Sequence, residues 1–305
     1  MNAPALALAL AAAAAAGCAS QPREVAPASA GRCAPARAFA EGGERATLWV
    51  RQSVEFRAAS EIIYRAAQGA LAANLGDPAV SAETTQTAGH EDLPPAVVMD
   101  IDDTVLDNSA PQARMILEVT CPPEFDAQWD AWVAERAAPA VPGAAAFIRA
   151  ARAMKDAKGR PVRVFLITNR ACAPRAGSDD PCPQQADTLA NLRELGLDAP
   201  TLDEDLMLKG ERADWPSEKE SRRREVARGH RIVLNVGDDF GDFLPGVRRQ
   251  SAVERARTSC AYHDWWGTRW FQIPNPMYGS WQGVLGPDLE QALALPPPPG
   301  DCPEP

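Results

Sequence analysis

Short, uninterrupted runs of apolar residues recur along the middle of the chain, and each run ends in polar residues. The runs at 96–99, 162–167 and 231–236 have the length and composition of buried parallel strands. Between the runs, helical patterns lie at 143–158, 187–195 and 217–228. Strands that alternate with helices predict a doubly wound α/β sheet, whose ligands bind beyond the carboxyl ends of the strands.

A longer amphipathic pattern precedes the first strand. Starting from Glu44, it places one helical face at Trp49, Ser53, Phe56, Ile63, Ala67 and Leu71. Gly76, Asp77 and Pro78 then predict the end of this helix, because glycine and proline are common helix terminators.

The amino terminus has the pattern of an export signal. An apolar run at 6–16 ends at Gly17-Cys18 and is too short and too weakly hydrophobic to remain in a membrane. The segment Ala15-Ala16-Gly17-Cys18 resembles the lipobox of bacterial lipoproteins, in which the cysteine is lipidated. We therefore expect an outer-membrane lipoprotein of a bacterial cell envelope. The alternative is a simple secretory signal cleaved nearby, which would leave a periplasmic protein.

The same pattern divides the chain into four segments. We expect a signal peptide with a lipobox over 1–18 and a flexible tether, rich in Ala, Pro and Ser, over 19–43. The folded domain is expected over 44–285, followed by a proline-rich tail over 286–305.

Composition narrows the classes of partner. Hydrophobic residues make up 46% and charged residues 24%, as in ordinary globular proteins. The formal net charge of −10 argues against a nucleic-acid partner, because phosphate backbones attract basic surfaces. A small phosphorylated substrate remains compatible, since it needs only a locally positive pocket.

Cysteine usage fits an exported protein. Besides Cys18, the chain has six cysteines, an even number that suggests disulfides in an oxidising compartment. Cys172 and Cys182 bracket a short loop and are the easiest pair to join, whereas the sequence does not assign the others. With three histidines and no Cys-x-x-Cys spacing, a zinc site is not expected.

The segment that follows the first strand carries two carboxylates suited to phosphoryl transfer. Asp100 ends the strand and Asp102 lies two residues further on. One carboxylate can attack phosphorus, and the other can protonate the leaving oxygen and then activate water. Taken alone, the motif is equally compatible with an acidic loop or a calcium site.

Three later features favour phosphoryl transfer. Asp238 follows the third strand and could join Asp100 on one magnesium ion. Thr168 ends the second strand and offers a hydroxyl and an amide to a phosphoryl oxygen. A lysine is needed to balance the developing charge. Lys219 and Lys209 are the candidates, and their structural alternatives are a solvated helix face and a strand end.

The order of these motifs resembles the haloacid dehalogenase (HAD) superfamily and, more narrowly, its class C acid phosphatases, a family of bacterial lipoprotein phosphatases and 5′-nucleotidases. The similar segments include AVVMDIDDTVLDNS at 96–109, LITNR at 166–170 and IPNPMYGSWQG at 273–283. The resemblance implies a Rossmann-like core, with a parallel sheet flanked by helices, and a small helical cap at about 105–160.

The resemblance also assigns roles to individual residues. It implies that Asp100 is the nucleophile and a magnesium ligand, that Asp102 is the general acid and base with its backbone carbonyl on the metal, and that Asp238 is a further ligand. The remaining implied roles are phosphate binding by the Thr168 hydroxyl, charge balance by Lys219, ordering of the site by Asp242 and a supporting contact from Asn169.

Two aromatic residues are implied to bind the leaving group. Trp129 and Tyr278 match positions that clamp a nucleobase or another aromatic group in the family. Stacking of this kind accepts any flat ring. The alternative is that both residues are ordinary core aromatics.

We therefore expect a magnesium-dependent phosphomonoesterase that acts on nucleoside 5′-monophosphates and aryl phosphates. Its expected partners are the small-molecule substrate and, through the lipid anchor, a membrane; homo-oligomerisation is left open. The alternatives are another HAD phosphatase that acts on sugar phosphates and a surface binding lipoprotein that retains the fold. Asp102 argues against a dehalogenase, which needs no acid at that position.

Overall fold

A computed structural model describes residues 34–118, 122–285, 289–294 and 302. Within these residues, one five-stranded sheet has the order β3-β2-β1-β4-β5, and all neighbouring strands are parallel. Its strands are β1 Pro95–Met99, β2 Arg163–Ala171, β3 Leu206–Lys209, β4 Arg231–Gly237 and β5 Trp270–Gln272. The doubly wound α/β fold predicted from the alternating pattern is confirmed.

Helices cover both faces of the sheet. They are α1 Ala34–Gln52, α2 Val54–Gly76, α3 Ser109–Glu118, α4 Pro122–Glu135, α5 Ala144–Ala153, α6 Pro183–Glu194, α7 Leu202–Asp205, α8 Glu220–Gly229, α9 Ala252–Ala261 and α10 Leu289–Ala294. Val97 and Met99 of β1 belong to one buried cluster, and Ala96 and Val98 belong to a second. Successive strand side chains point to opposite faces, so a strand buried on both faces is apolar throughout.

The first helical region is two helices rather than one. Ser53 caps α2, and its hydroxyl accepts a hydrogen bond from the Phe56 amide at 3.0 Å. A serine at this position favours a new helix start because it satisfies a backbone donor that would otherwise be free. Ser53 is therefore outside the buried face, which runs through Phe56, Ser60, Tyr64, Ala67 and Leu71.

Two expected boundaries differ from the structure. Helix α1 begins at Ala34, ten residues before the expected Glu44, in a segment whose alanines are strong helix formers. The cap expected over 105–160 includes α5, but Phe147 and Ile148 of α5 are core residues. Gln112 of α3 and Trp129 of α4 instead lie near Asp100 and Asp102, at the carboxyl edge of the sheet.

Two disulfides join cysteines of the described region. The predicted Cys172–Cys182 pair is confirmed, and Cys260 pairs with Cys302. The predicted signal peptide, Cys18 and most of the proline-rich tail lie outside the described residues. None of the helices in the described part of the chain is long and apolar enough to cross a membrane.

Candidate active site

The carboxyl edge of the sheet gathers the predicted aspartates. Asp100 follows Met99 at the end of β1, and its backbone amide donates to the Val236 carbonyl of β4 at 3.0 Å. Asp238 follows Gly237 at the end of the same neighbouring strand. The parallel register pairs Met99 with Val236, so the two aspartates leave the sheet side by side.

Three buried carboxylates meet at this edge. Oxygen atoms of Asp100, Asp238 and Asp242 lie within 4.8 Å of one another. Lys219 forms ion pairs with Asp100 and with Asp242, the latter at 2.6 Å. Lys209 instead lies in β3, where its carbonyl accepts a hydrogen bond from the Cys172 amide. Of the two candidate lysines, the structure brings Lys219 to the acidic cluster.

The cluster brings three carboxyl groups together around one lysine. Burial raises the pKa of Asp100 to about 7 against the opposing effect of Lys219, and burial together with Asp100 raises the pKa of Asp238 well above its usual value. Burial disfavours the ammonium of Lys219, but attraction to Asp100 and Asp242 outweighs it and raises the pKa of Lys219. Three carboxylates opposed by one ammonium form a site that fits a divalent cation with oxygen ligands.

The carboxylates have different surroundings within this cluster. Asp242 Oδ2 accepts a hydrogen bond from the Asp239 amide, and Asp242 Oδ1 forms an ion pair with Lys219. Both oxygens of Asp242 therefore have protein partners. Asp238 is held by Asn275, whose amide donates to Oδ2 at 2.8 Å, and by the Thr104 hydroxyl at 3.3 Å. This arrangement suits Asp242 for ordering the site and Asp238 for ligating a cation.

Gly237 is the residue that permits this packing. A Cβ atom at position 237 would lie 2.4 Å from Oδ2 of Asp242, far inside van der Waals contact. The absence of a side chain at Gly237 therefore lets Asp242 approach the end of β4.

Asp102 points away from the acidic cluster and toward β2. Its Oδ2 accepts a hydrogen bond from the Thr168 hydroxyl at 2.8 Å. Its Oδ1 accepts hydrogen bonds from Arg170 Nε at 3.0 Å and from the Asn108 side-chain amide at 3.0 Å. The Thr168 hydroxyl, which was expected to bind phosphate, thus donates to Asp102. The neighbouring residue Asn169 lines the cavity, and its side-chain oxygen accepts a hydrogen bond from Arg222.

Arg170 and Asn108 were not among the predicted site residues. Arg170 lies two positions after Thr168 in β2, and residues at this spacing point to the same face of a strand. That alternation was a usable signal for Arg170. Asn108 lies in the turn after the acidic motif, and no sequence period places its side chain on Asp102.

A cavity of about 280 Å³ opens above these groups. It is lined by Asp100, Asp102, Gln112, Trp129, Asn169, Arg170, Lys219, Asp238, Asp239, Asp242, Tyr278 and Gly279. Both predicted aromatics are therefore in the wall. The Tyr278 hydroxyl donates to the buried Asp103 carboxylate, and the Arg170 guanidinium lies 5.9 Å from the Trp129 ring centroid.

Comparison with known proteins shows similarity over nearly the same region. Residues 22–281 match the sequence model of the acid phosphatases that form subfamily IIIB of the HAD superfamily. The class C acid phosphatase from Bacillus anthracis is similar in structure, with 28% sequence identity and a TM-score of 0.63, over 81% of this chain and 89% of that chain. The same enzyme with tungstate bound matches over 82% of this chain and 90% of that chain, at 28% identity and a TM-score of 0.64.

Proposed function

The chain belongs to the acid phosphatases of HAD subfamily IIIB and is a phosphomonoester hydrolase, and from this membership we propose a magnesium-dependent reaction through an aspartyl-phosphate intermediate. The observation that carries the proposal is the placement of two carboxylates with different surroundings in one cavity. Asp100 is buried against Lys219, whereas Asp102 lies against Thr168 and Arg170.

The first step transfers the phosphoryl group to Asp100. Its carboxylate oxygen forms a bond to phosphorus while the bond to the leaving oxygen breaks, and Asp102 gives its proton to that oxygen. Lys219 stays paired with Asp100 and Asp242 and offsets negative charge that accumulates around phosphorus.

The second step regenerates the enzyme. Asp102, now ionised, takes a proton from a water molecule as that water attacks phosphorus. The bond between phosphorus and Asp100 breaks, and inorganic phosphate leaves. One carboxylate can serve as acid and then as base because the first step leaves it in the form that the second step requires.

The residues that would hold magnesium are Asp100 and Asp238, with the backbone carbonyl of Asp102. When bound there, magnesium supplies charge neutralisation between the phosphate and the aspartates. The excess of carboxylates over ammonium groups at this edge supports a cation of this charge. Tungstate, bound by the similar Bacillus anthracis enzyme, is a tetrahedral oxyanion like phosphate.

The proposed substrates are nucleoside 5′-monophosphates and aryl phosphates. Trp129 and Tyr278 both line the cavity that contains Asp100, so a flat leaving group can contact aromatic surface while its phosphate reaches the nucleophile. A sugar phosphate has no flat face and would gain less from this wall. A binding protein without turnover would not need Asp102 and Thr168 held in register with Asp100.

A direct test measures hydrolysis of 4-nitrophenyl phosphate by the purified chain, with and without magnesium after chelation. The proposal expects activity that depends on added magnesium and that is lost in Asp100→Asn. Normal turnover by Asp100→Asn would reject the nucleophile, and full activity after exhaustive chelation would reject the cation.

We propose in addition that the mature protein is anchored in a bacterial envelope through Cys18. The Cys172–Cys182 and Cys260–Cys302 disulfides support an oxidising compartment. Cys18→Ser should move the protein from the membrane to the soluble envelope fraction without changing its specific activity. An unmodified mature amino terminus away from Cys18, seen by mass spectrometry, would reject the anchor.

A further inference from the structure

Asn108 connects the site to the inserted helix α4. It is fully buried, and its side-chain amide donates to Asp102 Oδ1 at 3.0 Å and to the Leu106 carbonyl at 3.3 Å. Its side-chain oxygen accepts a hydrogen bond from the indole nitrogen of Trp132 at 2.9 Å. Because the indole can only donate, this bond also fixes which side of the Asn108 amide faces Asp102.

Trp132 makes this connection depend on α4. It is 4% exposed, and its ring packs under the guanidinium of Arg114 from α3 at 5.2 Å. Because the ring is packed in place, the indole N–H of Trp132 is directed at the side-chain oxygen of Asn108. A continuous path therefore runs from α4 through Trp132 and Asn108 to Asp102.

The two oxygens of Asp102 have different neighbours. Oδ1 receives N–H donors from Asn108 and from Arg170 Nε, the latter at 3.0 Å, and the positively charged guanidinium lies against the same oxygen. Amide and guanidinium nitrogens cannot accept a proton, so Oδ1 remains an acceptor. Oδ2 faces the Thr168 hydroxyl, which can donate or accept, so Oδ2 is the oxygen that can carry the transferable proton.

We propose that Asn108 is a positioning residue that holds Asp102 with Oδ2 toward the leaving group, and that Trp132 makes this alignment depend on the packing of α4. The inference rests on the proposed function, in which Asp102 protonates the leaving oxygen. As the bond from phosphorus to the leaving oxygen breaks, the proton passes from Oδ2 to that oxygen. Asn108 itself does not touch the substrate.

The test compares two aryl phosphates of similar shape that differ in leaving group. The 4-nitrophenolate ion is a weak base and leaves with little help, whereas phenolate is a stronger base and needs the proton more. Misplacing a reacting group by about 1 Å can cost about 10²-fold in rate. For Asn108→Ala we therefore expect kcat/KM to fall by about 10²-fold for phenyl phosphate and by only about threefold for 4-nitrophenyl phosphate.

A general loss of structure would give a different result, because it would lower kcat/KM by the same factor for both substrates. Asn191→Ala is the matched control: Asn191 is also buried, and it bonds the backbone of Ala138 rather than Asp102. Its effect should be equal for both substrates. Equal losses in a folded Asn108→Ala would overturn the proposal.

A second variant covers the case in which Asn108→Ala does not fold. Trp132→Phe keeps an aromatic ring but removes the indole donor and part of the ring volume. It should give a smaller loss of kcat/KM, which is again larger for phenyl phosphate than for 4-nitrophenyl phosphate. Asp102→Asn distinguishes a failure of the proposed acid from a failure of the positioning role. If Asp102→Asn loses kcat/KM equally for both substrates, Asp102 is not the acid. If Asp102→Asn loses more on phenyl phosphate but Asn108→Ala and Trp132→Phe do not, only the positioning role is wrong.

Discussion

At the scale of single residues, charge balance around Lys219 determines what the cavity can bind. Its ammonium pairs with Asp100 and Asp242. The third buried carboxylate, Asp238, accepts hydrogen bonds from Asn275 and Thr104 and has no ion pair among the residues that the structure describes. Burial of an unpaired carboxylate is unfavourable, and the raised pKa of Asp238 reflects this cost. A divalent cation bound to Asp238 would offset this unfavourable free energy of burial.

Replacement of Asp238 tests this balance. Asp238→Ala should weaken magnesium binding, because a hard cation loses one of few protein oxygens. Calorimetric titration of magnesium, without substrate, measures the affinity directly. Asp92→Ala is a suitable control, because Asp92 is an exposed carboxylate paired with Lys158 at the surface. Unchanged magnesium affinity in Asp238→Ala would contradict the assigned ligand.

Gly237 gives a second prediction at this scale. Gly237→Ala should lower stability by about 1–3 kcal/mol, as is typical of overpacking, and should reduce activity because Asp242 must move. Gly69→Ala serves as the control, since a Cβ at this position in α2 has no neighbour within 4 Å. Alanine should be neutral or stabilising there. Chemical denaturation and activity assays report the two effects, and intact activity in Gly237→Ala would show that the contact is unimportant.

The sequence predicted single residues well where a strand end fixes them. Asp100 and Asp238 follow apolar runs, and the carboxyl ends of parallel strands meet by topology alone. Thr168 was expected to end the second strand, but β2 continues to Ala171, which still pairs with β3. Asn108 was not predicted, because its contact with Asp102 depends on how one turn folds back on itself. The choice between Lys219 and Lys209 also needed the tertiary structure. Lys209 ends β3 and Lys219 immediately precedes α8, and neither position by itself shows which ammonium reaches Asp100.

At the scale of elements, α4 carries one aromatic wall of the cavity. Asp130, next to Trp129, accepts hydrogen bonds from Arg175 at 2.6 Å and from Gln184 of α6 at 2.9 Å. Arg175 lies in the loop closed by the Cys172–Cys182 disulfide and also pairs with Asp187 of α6. The disulfide loop and α6 together hold α4 in place.

Trp129→Ala should raise KM for a nucleoside monophosphate by roughly tenfold to a hundredfold, because stacking is worth roughly 1–3 kcal/mol per base. The kcat at saturation should change less, since the lost binding is largely uniform. KM for a small aliphatic phosphate, which does not reach the aromatic wall, should hardly respond. Equal damage to both substrates would instead indicate that Trp129 is a core residue.

Arg175→Gln should give the same pattern with a smaller effect, because it loosens α4 without removing the ring. Arg193→Gln is the matched control: Arg193 is on α6 and pairs at the surface with Asp198 and Asp203. Steady-state kinetics on the same two substrates measure both variants. A KM for nucleotides that is the same in Arg175→Gln and Arg193→Gln would contradict the role given to the loop.

Sequence patterns predicted the three central strands and the helices α2, α5, α6 and α8, and they missed the short strands and the helix α9. β1, β2 and β4 are apolar runs buried on both faces, and all three were expected. β3 and β5 have four and three residues, too few to establish a period, and their strand character comes from pairing at the sheet edges. The break at Ser53 was missed because its position matches the helical spacing of the apolar face, and spacing alone does not distinguish one continuous helix from two.

At the scale of the whole molecule, the Cys260–Cys302 disulfide ties the carboxyl-terminal segment to α9. It closes a loop with a sequence separation of 42 residues, so chain entropy suggests a contribution of about 4 kcal/mol. The double variant Cys260→Ser, Cys302→Ser should be less stable by up to this amount. Neither cysteine lines the cavity, so kcat/KM should stay the same.

Urea denaturation of the oxidised wild type and of the double variant measures the difference in the free energy of unfolding. A variant as stable as the wild type would show that the carboxyl-terminal segment adds nothing to the fold. A variant with normal stability and lost activity would show instead that this segment contributes to the site.

In the proposed reaction, Asp100 becomes phosphorylated during turnover. 4-Nitrophenyl phosphate suits the measurement, because its good leaving group makes the first step fast relative to hydrolysis of the intermediate. Enzyme mixed with this substrate and magnesium is quenched in acid within milliseconds, and its peptides are analysed by mass spectrometry. We expect one added phosphoryl group on the peptide that contains Asp100 and none in Asp100→Asn. A phosphoryl group on any other residue, or a phosphorylated Asp100→Asn enzyme, would contradict this expectation.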